Sequence, residues 1–176
     1  MNRREAVQRV ALLVGGVLSP PLIAGVMGQV LNTGPSVATT AAQEALLAEV
    51  ADIIIPTTDT PGAKAAGAEK FIVRVMRDCF VKEDQDKFYA GLAKLDADSK
   101  TKYGKGFIEL STPEKNEMVK QTMTADKPFF LRMKELTTVG YFTSEIGATQ
   151  ALEYLPIPGR FDGSAPYKPG QKTWAI

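Results

Sequence analysis

Lys70-Phe71-Ile72-Val73-Arg74-Val75-Met76-Arg77-Asp78-Cys79-Phe80 is the stretch that decides the fold. Phe71, Ile72, Val75, Met76, Cys79 and Phe80 recur at the three- and four-residue spacing of one helical face, with Lys70, Arg74, Arg77 and Asp78 opposite. A helix with a single apolar stripe has to bury it against other elements, so its neighbours set the architecture. Cys79 lies on that stripe and is the only cysteine, so no internal disulfide can form. Its position reads as buried packing rather than as a reactive or metal-binding thiol.

Working outward, the same period recurs on both sides. Leu46, Leu47, Val50, Ile53 and Ile54 predict a helix over residues 42–54, ended by Pro56. Residues 56–62, Pro-Thr-Thr-Asp-Thr-Pro-Gly, form a turn-rich loop in which Asp59 reads as a cap or Asx-turn residue rather than a catalytic one. A third helix is predicted over 83–102 through Phe88, Leu92 and Leu95, with its acidic and basic start as a solvated face and Gly104 and Gly106 as its stop. Phe107, Ile108 and Leu110 dock before the start signal Ser111-Thr112-Pro113-Glu114, which opens a fourth helix through Met118, Val119 and Met123. Residues 125–140 give a fifth, through Phe129, Phe130, Met133, Leu136, Thr137 and Val139. Thr143 or Ser144 caps a short sixth containing Ile146, Ala151 and Leu152, with Glu145 suited to its first turn. No segment alternates β-branched residues. The expected class is all-α, about six short helices in one domain over residues 43–154.

The two ends differ from this middle. Arg3, Arg4 and Arg9 precede a run free of charge over residues 10–43, the layout of a bacterial export signal. The paired Arg3 and Arg4 point to the twin-arginine route, which carries folded cargo. Residues 1–28 are read as that signal or an anchor, and 29–42 as a small, polar linker. Pro20-Pro21 and four glycines before Gln29 argue against a continuous membrane helix, and Ser36-Val37-Ala38 has the small residues of a cleavage site. Retention as an inner-membrane anchor stays open. Residues 155–176 are rich in Pro and Gly yet carry Phe161, Tyr167 and Trp174 at intervals of six or seven residues. Such an extended arm fits docking on a partner or folding back on its own domain.

Composition excludes several functions. The whole chain has 21 Lys and Arg against 20 Asp and Glu and no histidine. Near-neutral charge argues against nucleic acid as partner. Without histidine, the usual general base, the usual metal ligand and haem attachment through Cys-x-x-Cys-His are all missing. The glycine-rich dinucleotide and triphosphate cradles and the Gly-x-Ser-x-Gly elbow are absent too. Carboxylate chemistry is what remains, with Asp52 and Asp59 or Asp78 and Glu83 as the pairs to consider, although the acids are evenly scattered.

Several stretches carry a family resemblance: Asn2-Arg3-Arg4-Glu5-Ala6 with its apolar run, Ile54-Ile55-Pro56-Thr57-Thr58-Asp59-Thr60-Pro61-Gly62-Ala63, Leu136-Thr137-Thr138-Val139-Gly140-Tyr141-Phe142-Thr143-Ser144-Glu145-Ile146-Gly147, and residues 154–159 with the Gly-, Tyr- and Trp-containing tail. In that order they resemble the gluconate 2-dehydrogenase subunit 3 family, small or gamma subunits of bacterial FAD-dependent sugar dehydrogenases acting on gluconate, fructose or glucosides. The positions after Arg4 depart from the usual export pattern.

The resemblance implies a non-catalytic accessory subunit. It would bind, help mature and direct twin-arginine export of a large glucose-methanol-choline type subunit, in the periplasm. It implies no cofactor in this chain, FAD in the large subunit, haem c in a cytochrome c partner, and the twin-arginine translocase as a further partner. The candidate site residues are Arg3 and Arg4 for export, and Tyr141, Phe142, Pro156, Pro158, Arg160, Phe161, Tyr167 and Trp174 for partner binding. The alternatives are a free-standing, membrane-anchored helical envelope protein and, ranked below it, a carboxylate-based glycoside-processing enzyme.

Overall fold

A computed structural model of the chain describes residues 39–155, 157, 159, 164, 166 and 169–175. The signal reading of residues 1–28, with Arg3 and Arg4, lies outside them, as do Pro156, Pro158, Arg160, Phe161 and Tyr167. The described residues form five α-helices: α1 (Ala41–Ile54), α2 (Ala68–Cys79), α3 (Lys82–Tyr103), α4 (Thr112–Ala125) and α5 (Lys127–Phe142). A 3-10 turn (Phe107–Glu109) joins α3 to α4, a π-helix (Gly147–Ala151) follows α5, and β1 (Glu153–Tyr154) and β2 (Trp174–Ala175) make one short ribbon. The fold is all-α, as the periodicity predicts, and the sixth helix is the short π-turn. None of the described helices is long and apolar enough to cross a membrane.

Local chemistry sets the helix ends. Thr40 and Gln43 form a capping box on α1, the Thr40 hydroxyl accepting from the Gln43 amide at 3.2 Å and the Gln43 side chain accepting from the Thr40 amide at 2.9 Å. Ile55, held extended ahead of Pro56, ends that helix. The α4 start signal works through Glu114, whose carboxylate accepts from the Ser111 amide at 2.8 Å and its hydroxyl at 2.6 Å. Asp126 alone separates α4 from α5. It ends the first helix and caps the second, accepting from the Phe129 amide at 3.3 Å.

α5 is the hub, packing on α1, α2, α3 and α4. Its buried seam of Phe129, Met133, Leu136, Thr137, Gly140 and Tyr141 meets Leu47 and Ala51 of α1, Ile72 and Met76 of α2, Leu92 and Leu95 of α3, and Met118 of α4 in one core. Close contacts at both ends show that α2 and α5 run antiparallel. Phe71 lies against Gly140, and the Arg132 guanidinium sits 4.7 Å from the centre of the Phe80 ring. Phe107 is wholly buried under α3, its amide donating to Asp96 at 2.9 Å, and Leu110 is buried with it, whereas Ile108 is exposed.

The stripe on α2 needs one correction. Ala68, Glu69, Ile72 and Met76 are buried, but Cys79 is exposed. The seam leaves Met76 by a four-residue step to half-buried Phe80, and Cys79 is on the outer side of that line at the helix's last residue. The thiol is therefore exposed by its place on the helix face, although Phe80 beside it still packs on the core.

One ion cluster crosses the fold. Glu49 on α1 accepts from Lys64 at 2.5 Å and from Lys115 on α4 at 2.6 Å. Lys64 is half exposed and contributes little, whereas Lys115 and Glu49 are both mostly shielded from water. Desolvation pushes the Glu49 carboxyl up, but the hydrogen bonds and charges of the two lysines outweigh it and hold the group below its ordinary value of 4.5. A carboxyl lowered by folding stabilises the native state above that ordinary value and loses the effect as pH falls through the folded one. Glu49→Gln should therefore cost about 1 kcal/mol at pH 7, with the difference from wild type vanishing in acid below 4.5. Urea melts of both proteins across that pH range check it.

Candidate partner-docking surface

The loop after α1 folds on itself before anything packs against it. The Ile55 carbonyl accepts from the Ala63 amide at 2.9 Å, the Thr57 hydroxyl from the Gly62 amide at 2.9 Å, and the Thr60 carbonyl from the Thr58 amide at 3.0 Å. Gly62 is required by close approach, because a Cβ there would lie 2.7 Å from the Thr57 nitrogen and 2.8 Å from the Ile55 oxygen. Hydrogen bonds from the Thr58 side chain and from its own amide hold Asp59 below the usual carboxylate range, with the positive charge of Lys172 adding to them. Asp59 serves the loop, in keeping with a turn residue.

Tyr141 joins this loop to the end of α5. Its hydroxyl donates to the Pro61 carbonyl at 2.9 Å and lies 3.3 Å from the Thr60 hydroxyl. Its own carbonyl accepts from the Ser144 hydroxyl at 2.6 Å, and the Ser144 oxygen in turn accepts from the Gly147 amide at 3.0 Å. Gly147 then passes so close that a Cβ would fall 1.9 Å from the Tyr141 oxygen. Two of the stretches that carry the family resemblance are thus one structural unit, and of Thr143 and Ser144 it is Ser144 whose oxygen caps the turn.

Tyr141 itself is not on a docking surface. It is 2% exposed, because it continues the four-residue steps of Met133 and Thr137 along the buried seam of α5. Extending that seam by one more turn would have revealed this from sequence. Phe142, the next residue, falls about 100° round the helix and is 38% exposed, its ring edge-on to Tyr141 at 5.1 Å.

Beyond the π-helix the tail returns on itself. β1 pairs in parallel with β2, Glu153 opposite Trp174 and Tyr154 opposite Ala175, and the Glu153 amide donates to the Thr173 carbonyl at 2.9 Å. Lys172 Nζ donates to the Gln150 carbonyl of the π-helix. Trp174 nevertheless stays half exposed, and Tyr154, Leu155 and Ile157, on and just after the paired strand, are exposed as well. The backbone folds back while the large side chains face water. Tyr154, Leu155, Ile157 and Lys172 escaped the sequence reading because only pairing with a strand 20 residues away brings them to one place.

A concavity of about 460 Å³ lies where α2, α3 and α5 meet, lined by Met76, Phe80, Phe88 and Phe129 together with the acids Asp84 and Asp126 and the cations Lys87, Lys94 and Arg132. Asp126 already occupies the N-terminus of α5, the place a phosphate would take. The acid pair Asp78 and Glu83 has no shared task. Asp78 pairs with Arg77 at 2.7 Å and Glu83 with Lys87 at 2.7 Å, and each is held below its ordinary value by that partner. A glycosidase general acid needs the opposite shift. No group of three or more potential metal ligands occurs among the described residues.

A family model described as gluconate 2-dehydrogenase subunit 3 matches residues 41–159, the helical domain through β1 and its exposed apolar run. No curated protein and no solved structure matches the chain.

The weld makes two outcomes testable by thermal unfolding. Tyr141→Phe should lower stability by about 1–3 kcal/mol, the cost of leaving the Pro61 carbonyl without its donor. Gly147→Ala should cost at least as much, about 1–3 kcal/mol or more, since backbone rather than a flexible side chain blocks the new Cβ.

Proposed function

The chain belongs to the gluconate 2-dehydrogenase subunit 3 family, and on that premise we propose that it is the non-catalytic accessory subunit of an FAD-dependent sugar or sugar-acid dehydrogenase. In this reading it binds the large flavoprotein subunit, helps it mature and directs its twin-arginine export to the periplasm. The observation that carries the docking role is the exposure of Tyr154, Leu155, Ile157 and Trp174 on and just after the paired strands, with Phe142 exposed at the end of α5. Large aromatic and aliphatic side chains left in water together are what a partner surface buries. Of the candidate contacts, Phe142 and Trp174 are the described residues available to a partner, and Pro156, Pro158, Arg160, Phe161 and Tyr167 join them as part of the same segment.

Export in the folded state fits this division of labour. A flavin held without a covalent bond is lost from an unfolded chain, so a flavoprotein that must arrive loaded needs a route for folded cargo. Arg3 and Arg4 would supply the address, and the helical domain the grip. FAD belongs to the large subunit and haem c to a cytochrome partner. The lack of histidine in this chain agrees with a role that leaves sugar oxidation to the partner.

Co-expression tests the reading. Periplasmic dehydrogenase activity should appear when the large subunit is made with this chain, and should be lost both without it and with Arg3→Lys plus Arg4→Lys. A large subunit that reaches the periplasm active by itself rules out the export role. Trp174→Ala and Phe142→Ala should each weaken association by about 2 kcal/mol or more if they are hot spots. Truncation before Arg160 should weaken it further while far-ultraviolet circular dichroism stays nearly unchanged. Purification of a colourless, solitary chain from its native envelope would favour a free-standing helical protein instead.

A further inference from the structure

A parallel ribbon with two residues in each strand is far below the size that holds together in water. β2 stays on β1 here because other contacts share the task. Beside the ladder bond from Glu153 to Thr173, the ammonium of Lys172 donates to the Gln150 carbonyl. That carbonyl belongs to the last turn of the π-helix, where main-chain acceptors lack partners within the helix and attract a cation. Asp59, on the loop that Tyr141 anchors, feels the charge of the same lysine. Lys172 therefore touches the π-helix and lies within electrostatic reach of the loop.

Register decides what this placement displays. Glu153 is opposite Trp174 and Tyr154 opposite Ala175. Since neighbouring side chains in a strand alternate, Trp174 faces one side of the ribbon and Tyr154 the other. Both rings are more than half exposed, at 51% and 55%.

We propose that residues 171–175 form a strap, clasped by Lys172 on Gln150 and by the pairing of β2 with β1, which pre-orders Trp174 and Tyr154 as opposite faces of a wedge for the partner subunit. The strap itself stands on this chain alone, and what meets the wedge rests on the docking reading above. Rings fixed before encounter lose less conformational freedom on binding, so the strap raises affinity without adding a contact.

Hydrogen exchange at the Glu153 amide of the full chain reports the strap. Deletion of residues 172–176 removes it, and Lys172→Met keeps most of the side-chain stem while removing the charge. Lys172, Thr173 and Trp174 are exposed, and circular dichroism verifies that the helices persist. Exchange should be fastest in the deletion, and in Lys172→Met about 2- to 10-fold faster than in wild type, the factor one net hydrogen bond supplies. In complex with the co-expressed catalytic subunit, both variants should dissociate faster. Equal exchange of Glu153 in the full and deleted chains overturns the strap. Faster exchange with unchanged dissociation overturns its part in docking. A wild-type chain that never associates with the catalytic subunit sinks the docking reading, and with it the strap's purpose, while the exchange rates still decide the strap itself.

Discussion

The hydrogen bond from the Tyr141 hydroxyl to the Pro61 carbonyl is the constraint on which the C-terminal half of the structure depends. It joins residues 80 apart in sequence, from a tyrosine that is 2% exposed to the carbonyl of the half-buried Pro61. Through it the loop that ends α1 and the helix that completes the core hold each other in place. The Tyr141 carbonyl then sets the next turn through Ser144, and Gly147 fits against it with no room for a side chain. The π-helix, β1 and the returning strand are all placed relative to that turn. A π-turn is rare and is found where a fold serves a local purpose. Here it delivers the chain from the core to an exposed apolar run.

The helical domain is a scaffold in the strict physical sense. α5 touches each of the other four described α-helices, and the core is made largely of Leu, Ile, Met and Phe with few polar groups to position. Among the described residues, five surface ion pairs join residues one to four apart on a single helix, such as Lys82 with Asp86 and Lys100 with Asp96. Such pairs contribute tenths of a kilocalorie.

The candidate docking surface is unusual in combining order with exposure. The rings of Phe142, Tyr154 and Trp174 reach solvent from backbone that is hydrogen-bonded rather than loose. Exposed Leu155 and Ile157 extend the same run. A monomer has no use for apolar groups held outward by a ladder and a clasp. A subunit of a larger complex does, because ordered anchors bind with a smaller entropic penalty than flexible ones.

The sequence by itself determined the helices, because a helix is a local object. Its period, caps and stops lie within a few residues, as at Thr40 with Gln43, Ser111 with Glu114, and Gly104, whose positive φ of 71° ends α3. It also determined the family, since residues 41–159 match in order, and the absence of histidine. The burial of Tyr141 follows the four-residue steps of α5 and was legible in the sequence as well. Tertiary structure alone decided where the apolar stripe of α2 leaves the core: Cys79 sits on it by spacing yet is exposed, while Phe80 beside it packs inward. It alone decided that the tail turns back, since a parallel pairing across 20 residues leaves no periodic trace in either two-residue strand. Short-range spacing records what a segment is, whereas contact between distant segments is a free-energy minimum of the whole chain, and only the folded molecule expresses it.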